Sequence, residues 1–152
     1  MAMVVHDALR DTGLQARILA TDLSTKVLAR AKLGIYESHK VGSVPPDYRS
    51  RYLHPVRDRG EPCLELAPEI RALVTFCRFN LMTPTFPFKH GFDVVFCRNV
   101  MIYFDRPTQE GLINRITQHL HAGGHLMIGH SESLNGIEHP LEYVEPTVYV
   151  KR

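Results

Sequence analysis

An α/β fold built on a parallel sheet is predicted by three observations. Short runs rich in strand formers alternate with helical patterns, and the runs are apolar on both faces, as strands buried between helices are. The clearest run lies in GFDVVFCRNVMIYFD at 91–105, which passes from strand to helix entry through polar side chains. A proline-rich polar segment at about 37–70 interrupts the alternation and fits a small, β-rich inserted subdomain better than a structureless loop.

The elements are taken in chain order. Residues 2–9 (AMVVHDAL) read as the back half of an amphipathic helix that Gly13 can stop. Arg17 to Ala20 is a short strand, with Asp22 just beyond it. Ser24 caps a helix through Leu33 that turns Val27, Leu28 and Ala31 inward, and Gly34 ends it. In the interrupting segment a short helix is expected at Asp47–Tyr52 and a hairpin turning near Asp58–Gly60. Cys63–Leu66 and Leu73–Phe79 are strand candidates, and Asn80-Leu81 comes after the second.

At 91–105, Phe92, Val94, Val95 and Phe96 form a strand, and Asp105 with Pro107 starts a helix. That helix is expected to run to Ala122, with Leu112, Ile113, Ile116 and Leu120 on one face and Gly123-Gly124 as its stop. His125–Ile128 is a further buried strand, and Tyr143–Val150, interrupted by Pro146, makes edge strands.

Three strands thus end in polar loops: Thr21-Asp22, Asn80-Leu81 and Arg98-Asn99. In parallel strands these loops line one rim, where α/β sheets bind ligands. A carboxylate at Asp22 either accepts both ribose hydroxyls of a nucleoside or serves as an acid at the helix N-terminus beside Ser24. Asn80 either offers its amide to an adenine edge or is a turn residue. Tyr103 either brings its hydroxyl to the rim or packs in the core with the hydroxyl satisfied.

Other chemistries find less support. The net charge of +2, without basic runs, gives no reason to expect nucleic acid. Cys63, Cys77 and Cys97 match no zinc or redox spacing, and sparse unpaired thiols suit a cytoplasmic protein. No transmembrane segment is expected. His119, His121 and His125 do not converge as a metal set. His130, Ser131 and Glu132 occur without a GxSxG elbow, which argues against a hydrolase. GxG is absent, which argues against a complete dinucleotide fold.

FDVVFCRNVMIYFDRPTQ resembles the signature of the chemotaxis receptor methyltransferases, the CheR family. ILATDLSTKVLARAKLGIY at 18–36, FNLM at 79–82, GGHLMIGHSES at 123–133 and TVYVKR at the end match the same family in its own order. The resemblance implies a Rossmann-like methyltransferase sheet. It implies methyl transfer from S-adenosylmethionine to glutamate side chains of the chemoreceptor cytoplasmic domain, leaving S-adenosylhomocysteine. By the same resemblance Asp22 holds the ribose and Asn80-Leu81 contacts the adenine side. Arg98-Asn99 lies beside the cofactor, and Tyr103 lies near the transferred methyl as a positioning group.

The family pattern also includes an N-terminal helical domain, a first central strand and an acidic glycine loop. The sequence matches only the part of the pattern C-terminal to these. The expectation is therefore a partial sheet, with a gap or a forced meeting between strands 17–21 and 92–97. Weak or no cofactor binding by this chain alone is expected too. A non-catalytic remnant or receptor-binding module, and a methyltransferase for another acceptor, are the alternative readings. Oligomeric state is open, although an uncovered sheet edge invites self-association.

Overall fold

The computed structural model describes all 152 residues. The chain divides into two compact units, Met1–Asn80 and Leu81–Arg152.

In the first unit, α1 (Ala2–Leu9) precedes β1 (Ile18–Asp22). Helix α2 (Thr25–Leu33) begins where Ser24 Oγ accepts from the Val27 amide, and it ends at left-handed Gly34. Then come β2 (Ile35–Glu37), α3 (Pro46–Tyr52), β3 (Leu53–Asp58), β4 (Glu61–Leu66), α4 (Pro68–Ala72) and β5 (Val74–Arg78). β1 and β5 pair in parallel, from Ile18 against Val74 to Asp22 against Arg78. β2, β4 and β3 form a separate antiparallel sheet in that order.

The β3–β4 hairpin turns where expected. Arg59 and Gly60 both have positive φ (50° and 88°), which suits the right-handed twist of a two-residue turn. Two small cores form here: Val41, Leu53 and Leu64 under the hairpin, and Tyr52, Ala67 and Ile70 near the N-terminus. Helix α1 is tied to α3 through Asp7. Its carboxylate accepts from Arg51 and from the Tyr52 hydroxyl at 3.1 Å, and the Arg51 hydrogen bond holds its pKa below the usual carboxylate range.

The second unit contains β6 (Phe92–Cys97), α5 (Arg106–Gln118), β7 (Leu120–Ile128), β8 (Leu141–Glu145) and β9 (Val148–Lys151). The sheet order is β6-β7-β9-β8, with β6 and β7 parallel and the rest antiparallel. Asp105 caps α5, accepting from Thr108 N at 3.1 Å. Leu112, Ile113 and Ile116 of α5 share one core with Cys97, Leu126, Ile128 and Tyr149. The Lys151 ammonium donates to the carbonyls of Thr117 and Leu120, both at 2.8 Å, and so satisfies the end of α5 with a cation where the helix dipole favours one.

Several expectations are corrected. β1 runs to Asp22 rather than ending at Ala20. Val27 is 52% exposed, and Leu28 is the one buried residue of α2. This narrow helix covers a two-stranded sheet, which gives an apolar stripe little to bury against. β6 is buried on one face only: Val94 and Phe96 are 43% and 44% exposed. Side chains alternate along a strand, so the face carrying Cys97 meets α5 while the other faces outward.

Helix α5 stops at Gln118. Leu120 and Gly123-Gly124, expected in that helix and at its end, lie in β7. Phe92 N donates to His119 O at 2.8 Å and Phe92 pairs with Leu120, so the sheet takes the backbone that another helical turn would need. Gly124 lies against Phe92 O, where a Cβ would come within 3.0 Å, and the register shifts there. Of the two C-terminal strands only β8 is an edge; β9 lies inside the sheet.

Candidate functional site

In the first unit, parallel pairing places Asp22 and Asn80 at the same, carboxyl end of β1 and β5. Phe79 N donates to Asp22 O at 3.2 Å, which carries the chain from β5 across that end. The Asp22 side chain is exposed, and its Oδ1 accepts from Ser24 N at 2.7 Å. That is the capping role weighed for this residue, and a carboxylate has further lone pairs on its second oxygen. Two hollows of this unit lie elsewhere. One of about 330 Å³ is lined by Val5, His6, Leu9 and Leu73, and one of about 580 Å³ by Tyr36, Leu66, Arg71 and Phe76. Neither includes Asp22 or Asn80.

In the second unit, β6 ends at Cys97 and the chain passes through Arg98 and Asn99 into a single 3₁₀ turn, Met101–Tyr103. Arg98 and Asn99 are exposed, and Leu81 is half-buried against the core. Asn99 is left-handed, at φ 58°, a conformation Asn tolerates better than other non-glycine residues. Tyr103 is 79% exposed, so core packing does not account for it.

This ledge is held at both ends. The amides of Asn99, Val100 and Met101 point away from any helical partner, as the first donors of a helix do. All three go to the Glu132 carboxylate: Asn99 N to Oε2 at 2.9 Å, Val100 N and Met101 N to Oε1 at 2.9 and 2.8 Å. Gly129 N adds a fourth donor to Oε2 at 2.6 Å. At the other end, Gln109 Nε2 donates to the carbonyls of Met101 and Phe104 at 3.0 and 2.9 Å.

Neither Glu132 nor Gln109 was marked by sequence as part of this ledge. Glu132 stands in the loop after β7, beside the loop after β6, because the two strands are parallel neighbours. The available signal was a carboxylate shortly beyond a buried strand, next to a loop rich in unmatched amides.

Burial pushes the Glu132 carboxyl upward, but the amide donors together outweigh it and hold its pKa below the ordinary 4.5. A depressed folded-state pKa contributes stability that is present above the unfolded value and is lost as pH falls through the folded one. The expected result is a loss of stability on acidification below about 4.5 that is smaller in Glu132→Gln. Denaturant midpoints measured across that window check it. Cys97 lies close by; burial, then the Glu132 charge, pushes its thiol up to about 11, so it stays protonated and inert at neutral pH.

The arrangement is two parallel strand pairs, each offering polar groups at its carboxyl end. The second carries a rigid, exposed Arg-Asn ledge with no catalytic acid–base pair of its own. That chemistry suits a group transfer that needs alignment rather than proton traffic.

Comparison with known proteins agrees. Residues 1–150 match the family model described as CheR methyltransferase, SAM binding domain. A chemotaxis protein methyltransferase of Borreliella burgdorferi is 39% identical over 139 residues, covering 91% of this chain and 48% of that protein. A probable chemotaxis protein methyltransferase of Rhizobium etli is 40% identical, over 88% of this chain and 50% of the relative. The Escherichia coli chemotaxis protein methyltransferase is 32% identical, over 98% and 52%. The chain spans about half the length of these curated relatives. On the family match, which takes in both strand pairs and the ledge, the chain belongs to the CheR methyltransferase family, within its S-adenosylmethionine-binding domain.

Proposed function

We propose that this chain forms the cofactor-binding and methyl-transfer part of a protein-glutamate O-methyltransferase acting on the cytoplasmic domain of bacterial chemoreceptors. The observation that carries the reading is the family match over residues 1–150. In this reading Asp22 accepts from the ribose hydroxyls and Asn80-Leu81 meets the adenine side. Arg98 and Asn99 flank the cofactor, and the exposed Tyr103 hydroxyl helps position the acceptor. The segment at about 37–70 is an insertion in the methyltransferase domain, and the protein works in the cytoplasm.

The reaction needs little acid–base help. A glutamate side chain is ionised at neutral pH, its reference pKa being about 4.3. One carboxylate oxygen attacks the methyl carbon in line with the sulfur. The carbon–sulfur bond breaks, its electron pair stays on sulfur, and S-adenosylhomocysteine leaves with no proton transferred. The protein's task is alignment and partial desolvation of the carboxylate.

The test is transfer of a tritiated methyl group from S-adenosylmethionine to a purified receptor cytoplasmic domain. Release of the label as methanol by mild base is the expected result, because glutamyl esters are base-labile. The transfer is measured with a form that also carries the N-terminal part of the family pattern; label that survives base would overturn the glutamate acceptor, and no transfer by that form would overturn the methyl-transfer reading. Tyr103→Phe is expected to lower transfer about two- to tenfold, the worth of one neutral hydrogen bond. Unchanged turnover would remove Tyr103 from the site.

A further inference from the structure

We infer that Glu132 is the positioning residue of the ledge: its carboxylate locks residues 99–101 into the one conformation that presents Arg98 and Asn99 for binding. This rests on the cofactor reading above and adds to it a residue that does not itself face the ligand.

Four backbone donors from two loops converge on this one side chain, two on each oxygen. A carboxylate is the side chain with acceptor capacity on both oxygens and no competing donor. The left-handed Asn99 turns the chain so that its own amide and the next two all face the carboxylate. The surroundings are specific. Gly129 lies so close that a Cβ there would come within 2.5 Å of Asn99 Oδ1 and 2.6 Å of Glu132 Oε2. The Glu132 amide in turn donates to Gly129 O at 3.0 Å, closing the loop that carries the carboxylate. The lock therefore joins the end of β6 to the end of β7, and Arg98 lies directly between the last residue of β6 and the locked segment. Cys97, which the Glu132 charge reaches, stays protonated at neutral pH and so adds no second negative charge beside the carboxylate.

Glutamine at 132 keeps the shape but has one acceptor oxygen. Its NH₂ group would face two backbone amides, donor against donor. Aspartate keeps the charge but is one methylene shorter.

The experiment uses the 152-residue chain and its Glu132→Gln and Glu132→Asp variants. Amide hydrogen exchange by NMR reads the lock, and calorimetric titration with S-adenosylhomocysteine reads binding. In the unsubstituted chain, the amides of Asn99, Val100, Met101 and Gly129 should be protected, and their shifts should titrate together below pH 4.5. In Glu132→Gln those four amides lose protection while Leu126 and Ile128 in β7 keep theirs. Affinity for S-adenosylhomocysteine then falls about tenfold or more, as a small misplacement of a binding group can cause. Glu132→Asp recovers part of both.

Retained protection in Glu132→Gln overturns the lock. Lost protection with unchanged affinity overturns its role in positioning. If the unsubstituted chain binds no S-adenosylhomocysteine, affinity is read in a form that also carries the N-terminal part of the family pattern; no binding there overturns the cofactor reading, while the four amides still judge the lock. If Glu132→Gln does not fold, Glu132→Asp decides: partial loss of protection at the four amides with weakened affinity supports the lock, and full protection with unchanged affinity overturns it.

Discussion

Leu126→Ala is expected to destabilise the chain by about 2–5 kcal/mol, the usual cost of emptying a fully buried leucine site. Leu126 is 0% exposed, in the middle of β7, with Val95 of β6 on one side and Tyr149 of β9 on the other. Its neighbours Leu112 and Ile113 are equally buried on α5. A helix packed across three hydrogen-bonded strands cannot collapse far into the space left, so the upper part of that range applies. β7 also carries the loop that holds Glu132, so the loss reaches the ledge. Denaturant unfolding of the variant is the measurement. A change below about 1 kcal/mol, typical of surface positions, would contradict the packing described.

In a form that also carries the N-terminal part of the family pattern, Asp22→Asn is expected to weaken binding of S-adenosylmethionine by about tenfold or more while leaving stability nearly unchanged. An ionised acceptor contributes about 1.5–3 kcal/mol per hydrogen bond, and the neutral amide forfeits part of that. Asparagine retains an oxygen for the Ser24 amide, so the turn into α2 survives. The substitution therefore separates the two roles weighed for this residue, which Asp22→Ala would confound. Calorimetric titration and a thermal melt on the same sample decide between them. A melt that drops while affinity holds would leave Asp22 as a helix-entry residue only.

The legible parts of this protein were those where local chemistry and pattern agree. Ser24, Gly34 and Asp105 marked helix ends because capping is a property of a few consecutive residues, and each lies at the end it marked. The Asp58–Gly60 turn was legible because a two-residue hairpin needs positive φ, which Gly60 supplies freely. Asp22, Asn80 and Arg98-Asn99 were found as strand-end polar groups, and each lies at the carboxyl end of a parallel strand.

The misreadings share one cause: they concern what one element meets in another. Nothing in VVF reveals that Val94 and Phe96 face outward while Cys97 is buried, since strand propensity is blind to which face a helix covers. Nothing in ITQHLHAGG reveals that Leu120 pairs with Phe92, because a distant strand claims its backbone. Glu132 is the sharpest instance. In sequence it was one of three hydrolase-like residues, 33 positions from Asn99. Only the parallel pairing of β6 with β7 sets its carboxylate against the three amides of residues 99–101, and no motif records where unmatched donors will gather. Pattern and capping chemistry settled the fold class and the strand-end groups, while the family was legible only as the resemblance carried by FDVVFCRNVMIYFDRPTQ. Pairing and packing alone settled which faces are covered and what holds the ledge in place, because both depend on residues far apart in the chain.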